Sequence, residues 1–176
     1  MKTKYIIEKV HSTLAFRARL LGISGIGGTF NEFSGSFIRN NEDWSATEVR
    51  VEIDVASIDT GVEQRDEHLQ AEYWFHTEAH PKIVFTSTSF KARKKNQFVL
   101  QGELHLKGNK WDVTFILNKG GNAKDKDGVE KIGFTAKTKI DREAFGIAKG
   151  AELPNGAVFL GKKVSVRFDL QLAEAK

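Results

Sequence analysis

Apolar and polar residues alternate with a period of two over most of the chain, in runs that recur at intervals of roughly 10–20 residues. The clearest run sets Val49, Val51, Ile53 and Val55 against Glu48, Arg50, Glu52 and Asp54. One face is apolar and the other fully charged, the pattern of a strand with one dry and one wet side. Leu14, Phe16, Ala18 and Leu20 stand in the same way against Thr13, Arg17 and Arg19. Phe98, Leu100, Gly102, Leu104 and Leu106 alternate with Gln101, Glu103 and His105, and Trp111, Val113, Phe115 and Leu117 with Lys110, Asp112 and Thr114. Two further runs follow, Ile132-Phe134-Ala136-Thr138-Ile140 and Val164-Val166-Phe168-Leu170-Leu172. With 33–39, which carries Phe37, and 83–90, which carries Phe85, the pattern predicts eight strands.

The linkers carry turn chemistry at 22–28, Asn40-Asn41, Gly108-Asn109, Gly120-Gly121-Asn122, Asp127-Gly128 and Pro154-Asn155-Gly156. Short linkers between one-sided strands predict an antiparallel meander. One segment, 63–71, reads as a helix, with Asp59-Thr60-Gly61 placed to cap it. The connection from 141 to 161 mixes apolar residues with Gly and reads as a covering loop. No composition shift marks a boundary, so residues 1–176 are expected to form one all-β domain. Eight such strands can hide their edges as a closed barrel or as a sandwich. Strands of about ten residues span about 33 Å, which suits a deep barrel, but periodicity leaves both open.

Composition changes this picture little. The chain of 176 residues is long enough to bury about 70% of its unfolded surface. Its 13 Phe against two Pro and one Met fit pleated surfaces. There is no Cys, which excludes disulfides, thiolate metal sites and cysteine nucleophiles. The net charge of +4 comes from basic residues interleaved with acids, and the one short knot, Lys91-Ala92-Arg93-Lys94-Lys95, reads as a solvated hairpin. No nucleic-acid partner is expected. No apolar run is long enough for a signal segment or a membrane span, so as written the chain reads as cytoplasmic, or periplasmic if a leader has been removed.

The stretch 57–90 is the most specific. It contains Ser57-Ile58-Asp59-Thr60, then Arg65-Asp66-x-His68-Leu69, then Tyr73-Trp74-Phe75, then Pro81-x-Ile83-x-Phe85-x-Ser87-Thr88. Upstream lie His11-Ser12-x-Leu14-x-Phe16 and Gly28-x-Phe30-x-x-Phe33-x-Gly35; downstream lie Gly102-x-Leu104-x-Leu106-x-Gly108 and Arg142-x-x-Phe145-Gly146. In order and spacing this set resembles the YceI-like family over residues 5–172. The resemblance implies an eight-stranded antiparallel lipocalin-like barrel, with one short helix and long covering loops, that holds a polyisoprenoid or similar long apolar lipid. Where the family usually carries a His, this chain has Leu20, which removes a polar group from the inward wall.

Other chemistry finds little support. His76 and His80 have the spacing of two helical metal ligands but lack the His-Glu-x-x-His order, and Pro81 interrupts a helix there. The Gly25-x-Gly27-Gly28 cluster does not follow a strand and open a helix as a nucleotide cradle does. Ser57, Asp66 and His68 hold the letters of a hydrolase triad without any sign of its geometry.

The expected ligand site is therefore the apolar interior: Phe16, Ala18, Leu20, Phe37, Val49, Val51, Ile53, Phe85, Phe98, Leu100, Gly102, Leu104, Trp111, Val113, Phe115, Phe134, Ala136, Val166 and Phe168. Gly102 and Ala136, small among large neighbours, are expected to leave a channel. Trp74, Phe75, Phe145 and Phe159 are candidates for the mouth or lid, and Arg65, Asp66 and His68 for a polar mouth. No metal, cofactor or catalytic residue is expected beyond a bound isoprenoid-type lipid, and a homodimer is left open. The alternatives are an enzyme acting on a lipid head at the mouth and an interaction domain with a solid core.

Overall fold

The computed structural model describes residues 1–150 and 160–176. Its strands are β1 (Thr3–Ile7), β2 (Thr13–Leu20), β3 (Ser24–Phe30), β4 (Phe33–Arg39), β5 (Glu48–Asp54), β6 (Ile58–Asp59), β7 (Lys82–Lys94), β8 (Gln97–Leu106), β9 (Asn109–Lys124), β10 (Glu130–Asp141) and β11 (Lys163–Glu174). One helix, α1 (Glu63–Leu69), precedes β7. The eleven segments amount to eight staves, because β1 with β2, β3 with β4, and β5 with β6 are each one stave broken by a kink. All neighbours pair antiparallel in sequence order. Pairing of β1 with β11 closes the ring, so this is an eight-stranded antiparallel barrel.

The closing seam is shared. The late half of β11 pairs with β1 through Ile7↔Leu172, and its early half with β2 through Phe16↔Val166. A 3₁₀ turn, Lys9–His11, separates the two contacts. The gap is mended by Glu8 N donating to Gln171 O (2.9 Å) and by Gln171 N donating to Ser12 Oγ (2.9 Å). The neighbouring stave breaks between β3 and β4, where Asn31 N donates to Ser57 O (3.2 Å) and Asp54 N to Glu32 O (2.9 Å). Ser57 itself sits in the third break, its Oγ donating to Asp54 O at 2.7 Å. Three adjacent kinks let this side of the sheet curl sharply, with these hydrogen bonds bridging the breaks.

Two predicted turns prove to be strand. Residues 24–30 form β3, because their glycines allow close approach to β2 and to Asp59; a Cβ on Gly28 would lie 2.5 Å from the Phe16 ring and 2.9 Å from Asp59 O. Gly120-Gly121 lies within β9, where the register to β10 shifts between Ile132 and Phe134, so the glycines form a bulge. The turn comes later, at Asp125–Val129, where Asp125 Oδ1 accepts from the backbone of Asp127 and Val129. The predicted Pro154-Asn155-Gly156 turn lies outside the described residues.

One end of the barrel is closed by aromatics. Trp44, from the β4–β5 loop, packs on Tyr5 and Phe134 with centroids 5.1 Å from each, and Phe134 stacks on Phe37 at 6.0 Å. The Arg39 guanidinium lies over Trp44 and Tyr5, at 5.2 and 5.5 Å. Tyr5 donates to Glu130 Oε2 at 2.6 Å. Burial first, and then this hydrogen bond, hold its hydroxyl far above the ordinary tyrosine range.

At the other end, Arg142 anchors the β10–β11 connection. Only 3% exposed, it donates to four backbone carbonyls: Gly161 (2.9 Å), Ile147 (2.9 Å), Ala148 (2.7 Å) and Leu160 (2.7 Å). One planar fork thus ties both ends of the loop together.

Three outcomes follow for stability. Arg142→Ala strands buried carbonyls and is expected to cost at least about 3 kcal/mol, read as a lower urea midpoint. Gly102→Ala would place a Cβ 2.4 Å from Thr86 O and 2.5 Å from the Phe85 ring, and is expected to cost about 1–3 kcal/mol in the same measurement. Glu8 accepts from Lys131 and from Gln171 Nε2, and the hydrogen bond from Lys131 above all holds its carboxyl below the ordinary range. Its contribution is present above the ordinary carboxylate pKa and is lost as pH falls through the lowered value. Acid titration of the melting temperature should therefore show a shallower fall in Glu8→Gln than in the parent.

Candidate functional site

Between the aromatic base and the Arg142 end the barrel is hollow. The cavity measures about 570 Å³, within the ~300–1,000 Å³ typical of small-molecule sites. Its floor is made by Phe37, Leu117 and Leu170, and its wall by inward residues of β2, β5, β7, β8, β10 and β11. The wall is apolar because each of these strands turns its uncharged face inwards; Arg50, Glu52 and Arg167 lie on the solvent side, in the ion pairs Arg50–Glu52 and Arg167–Asp169.

Most residues singled out in the sequence line this space. Phe16, Ala18 and Leu20 come from β2, Val49, Val51 and Ile53 from β5, and Phe37 from β4. Phe85, Leu100, Leu104 and Phe115 cover the next three staves, and Ala136, Val166 and Phe168 complete the circuit. Trp74 and Phe75, from the segment after α1, reach it from above, Phe75 meeting Phe30 edge to face at 6.0 Å.

Six of the singled-out positions lie elsewhere. Phe98 and Phe134 are in the solid base, Phe98 packing on Phe90 at 5.1 Å. Gly102 opens no channel, because the Phe85 ring occupies the space a side chain would take, and Phe85 in turn meets Phe115 edge to face. Val113 packs against the core without reaching the cavity. Trp111 shares the inward parity of β9 but sits where that stave leaves the barrel; it is 54% exposed and its Nε1 donates to Ala144 O at 2.8 Å. Phe145 is buried inside the β10–β11 loop, its carbonyl accepting from Asn109 Nδ2 at 2.9 Å. Phe159 lies outside the described residues.

The mouth is built by α1, the 70–80 segment and the described part of the β10–β11 loop. Val62 caps α1 with no side-chain hydrogen bond, so the predicted cap at 59–61 is replaced by a fastening from inside the helix. Asp66 Oδ1 accepts from Thr60 N (2.9 Å) and Thr60 Oγ1 (2.5 Å), while Arg65 donates to Thr60 Oγ1 (2.7 Å) and Thr60 O (2.8 Å). Arg65 and His68, one helical turn apart, both face the cavity, whereas Asp66 does not. On the opposite side, Ala148 N donates to Tyr73 O (2.8 Å) and Lys107 Nζ to Gly146 O (2.9 Å). Burial holds the Lys107 amine below the ordinary lysine range, against the opposing charge of Glu72.

Several lining residues escaped the sequence reading. Leu14, Ile140, Val164 and Leu170 stand on the apolar faces read from the sequence but are absent from the ligand site expected there. Ile26 is hidden in the glycine run that proved to be β3, and Ile147 and Leu160 in the covering loop. Gln64 and Leu69 belong to the α1 face that also carries Arg65 and His68. Trp44, which seals the base, stands alone among polar residues 40–45, and an aromatic in so polar a linker was its only signal.

Other arrangements are not assembled. Ser57 bonds locally, Asp66 holds Thr60, and no hydrogen bond joins either to His68 among the described residues. His76 and His80 pack edge to face at 5.6 Å, and no group of three metal-ligating side chains occurs among the described residues.

Known proteins share this architecture. Residues 5–172 match the family described as the YceI-like domain. A UPF0312 protein of Staphylococcus epidermidis is 34% identical over 163 residues, which cover 92% of each chain. The solved structure of BcnA from Burkholderia cenocepacia superposes with a TM-score of 0.82 at 21% identity, covering 94% of this chain and 98% of that one. A polyisoprenoid-binding domain from Saccharophagus degradans, implicated in plant cell wall breakdown, gives 0.67 at 17% identity over 98% of both. The family match spans nearly every stave of the barrel, and the chain belongs to the YceI-like family.

Proposed function

We propose that this protein binds and carries one long-chain apolar lipid, of the polyisoprenoid or isoprenoid-quinone type, with its tail in the barrel and its head at the α1 end. The observation that carries this reading is the hollow itself, about 570 Å³ of space walled by Phe, Leu, Val and Ile in a protein this small. A core of such residues would ordinarily close to near-crystalline density, so an unfilled centre needs an occupant. The binding domain from Saccharophagus degradans, with the same fold, supports a polyisoprenoid as that occupant.

The distribution of polar groups gives the ligand a direction. Gln64, Arg65 and His68 lie at the helical end, Arg142 lies beneath the loop, and among the described residues no carboxylate lines the cavity. A head with hydrogen-bond acceptors or negative charge suits that end, and hydrocarbon suits the rest. Each buried CH₂ contributes about 0.8 kcal/mol, so a tail of some 20 carbons offers about 16 kcal/mol gross. Ordering the tail removes much of that. A smooth apolar wall separates tails differing by one methylene-sized unit by only about 1–3 kcal/mol, so polyprenyl, quinone and fatty tails should compete.

Solvent extraction of natively purified protein, followed by mass spectrometry, is expected to return such lipids at close to one per chain; protein that yields none would overturn the reading. Ala18→Phe and Ala136→Phe distinguish a hollow from a solid barrel. Both side chains face the cavity, so the new rings should displace lipid while leaving the urea midpoint of the lipid-free protein nearly unchanged. In a solid core the same changes would cost about 1–3 kcal/mol.

A further inference from the structure

The turn joining β2 to β3 is built against the usual rules. Ile23 N donates to Leu20 O at 3.1 Å, and the two residues between them are both left-handed, Leu21 at φ 50° and Gly22 at φ 70°. Turns of this kind favour Asn, Asp or Gly at both central positions. Here the first is Leu, which accepts backbone strain and is 55% exposed, and Ile23, which follows the two central residues, is 91% exposed. Two large aliphatics held out at a hairpin tip cost the free molecule stability and solubility. A local rule broken without any gain inside the fold points to something outside it.

The tip stands at the mouth end of the barrel. Leu20, immediately before it, and Ile26, shortly after, both line the cavity. Val62 at the start of α1 lines the cavity too and is half-exposed, as is Tyr73, so apolar surface continues from the lining over the rim. The chain flanking the tip carries charge of one sign. No acidic residue occurs between Glu8 and Glu32, a stretch that carries Arg17 and Arg19 on the outward face of β2. Neither arginine has an ion-pair partner among the described residues; Lys163 opens the adjoining β11 stave, and Lys162 just before it pairs with Glu143.

From this juxtaposition we propose that the β2–β3 tip docks the barrel mouth on an anionic lipid bilayer, with Leu21 and Ile23 entering the acyl boundary and Arg17, Arg19 and Lys163 meeting the head groups. The proposal builds on the lipid-binding reading, since it places the cavity opening at the surface from which a lipid would be taken. The requirement is physical: a long apolar tail that crossed water would lose its hydrophobic stabilisation, and a mouth seated on the membrane spares it that step.

The test is co-sedimentation of the full chain with vesicles of phosphatidylglycerol and phosphatidylcholine, against phosphatidylcholine alone. The protein is expected to pellet with the anionic vesicles and to be released by salt. Ile23→Ser should lower partitioning about tenfold or more, and Arg17→Gln and Arg19→Gln about fivefold each. Leu21→Asn, which suits the left-handed position and so preserves the fold, should act like Ile23→Ser. Val10→Ser, at an equally exposed aliphatic in the Lys9–His11 turn, should change nothing. Equal pelleting of parent and Ile23→Ser, or no preference for anionic vesicles, would overturn the proposal. So would a change in the sedimentation coefficient of vesicle-free Ile23→Ser, which would make the tip a contact between copies of this chain. Lipid recovered by extraction from a protein that ignores vesicles would refute docking alone, and vesicle binding by a protein that yields no lipid would refute the cargo alone.

Discussion

Everything in this molecule depends on one strand edge serving two partners. β11 must pair with β1 near its end and with β2 near its beginning, and the Lys9–His11 turn between them decides where one contact gives way to the other. Without that handover the meander would remain an open sheet with unpaired edges, prone to pairing with other chains. With it, every stave has a hydrogen-bonded neighbour on both sides, and the inward faces are obliged to meet. Ser12 and Gln171 keep the ladder intact across the handover, which gives a structural reason for a serine in the His11-Ser12-x-Leu14 motif.

Closure alone does not make a cavity. Residues at both ends of the staves decide which part of the interior is filled. At the base, Tyr5, Phe37, Trp44, Phe90, Phe98 and Phe134 are large enough to meet across the ring. Further up, Ala18 and Ala136 are small, and the larger lining side chains, Phe16, Phe85, Phe115 and Phe168 among them, leave the centre open. The mouth is then shaped by polar fasteners, Asp66 and Arg65 on Thr60 and Arg142 on its four carbonyls, whose hydrogen bonds are local and almost fully satisfied. The polar residues of the Arg65-Asp66-x-His68 motif thus act mainly as structure, with only Arg65 and His68 turned towards the hollow.

Strand alternation was readable where one face is charged and the other apolar, as in β5, β8, β10 and β11. It failed where glycine removed the signal. β3 carries four non-glycine residues in seven, and a pattern rule cannot tell a glycine that bends the chain from one that lets two strands come close. The same ambiguity turned the bulge at Gly120-Gly121 into a turn. Parity named the inward residues well, yet it could not say how high each stands along the axis. Phe134 and Ala136 are neighbours on one face, but one fills the base and the other borders the hollow, while Trp111 has the right parity and lies beyond the rim. Depth is set by the register between staves, which a single sequence does not contain.

Among the described residues, the Trp44 seal closes the barrel at its base and leaves the mouth end as its opening. A chain molecule entering it must go in by the tail, and whatever it carries at its other end stays at the rim as the last part to enter and the first to leave. Cargo would accordingly be sorted by what protrudes, while tail length is limited only by how well the excess can fold back on itself. On the proposed lipid-carrying reading, ligands would be distinguished by their labels, and a receiving partner would meet the same end.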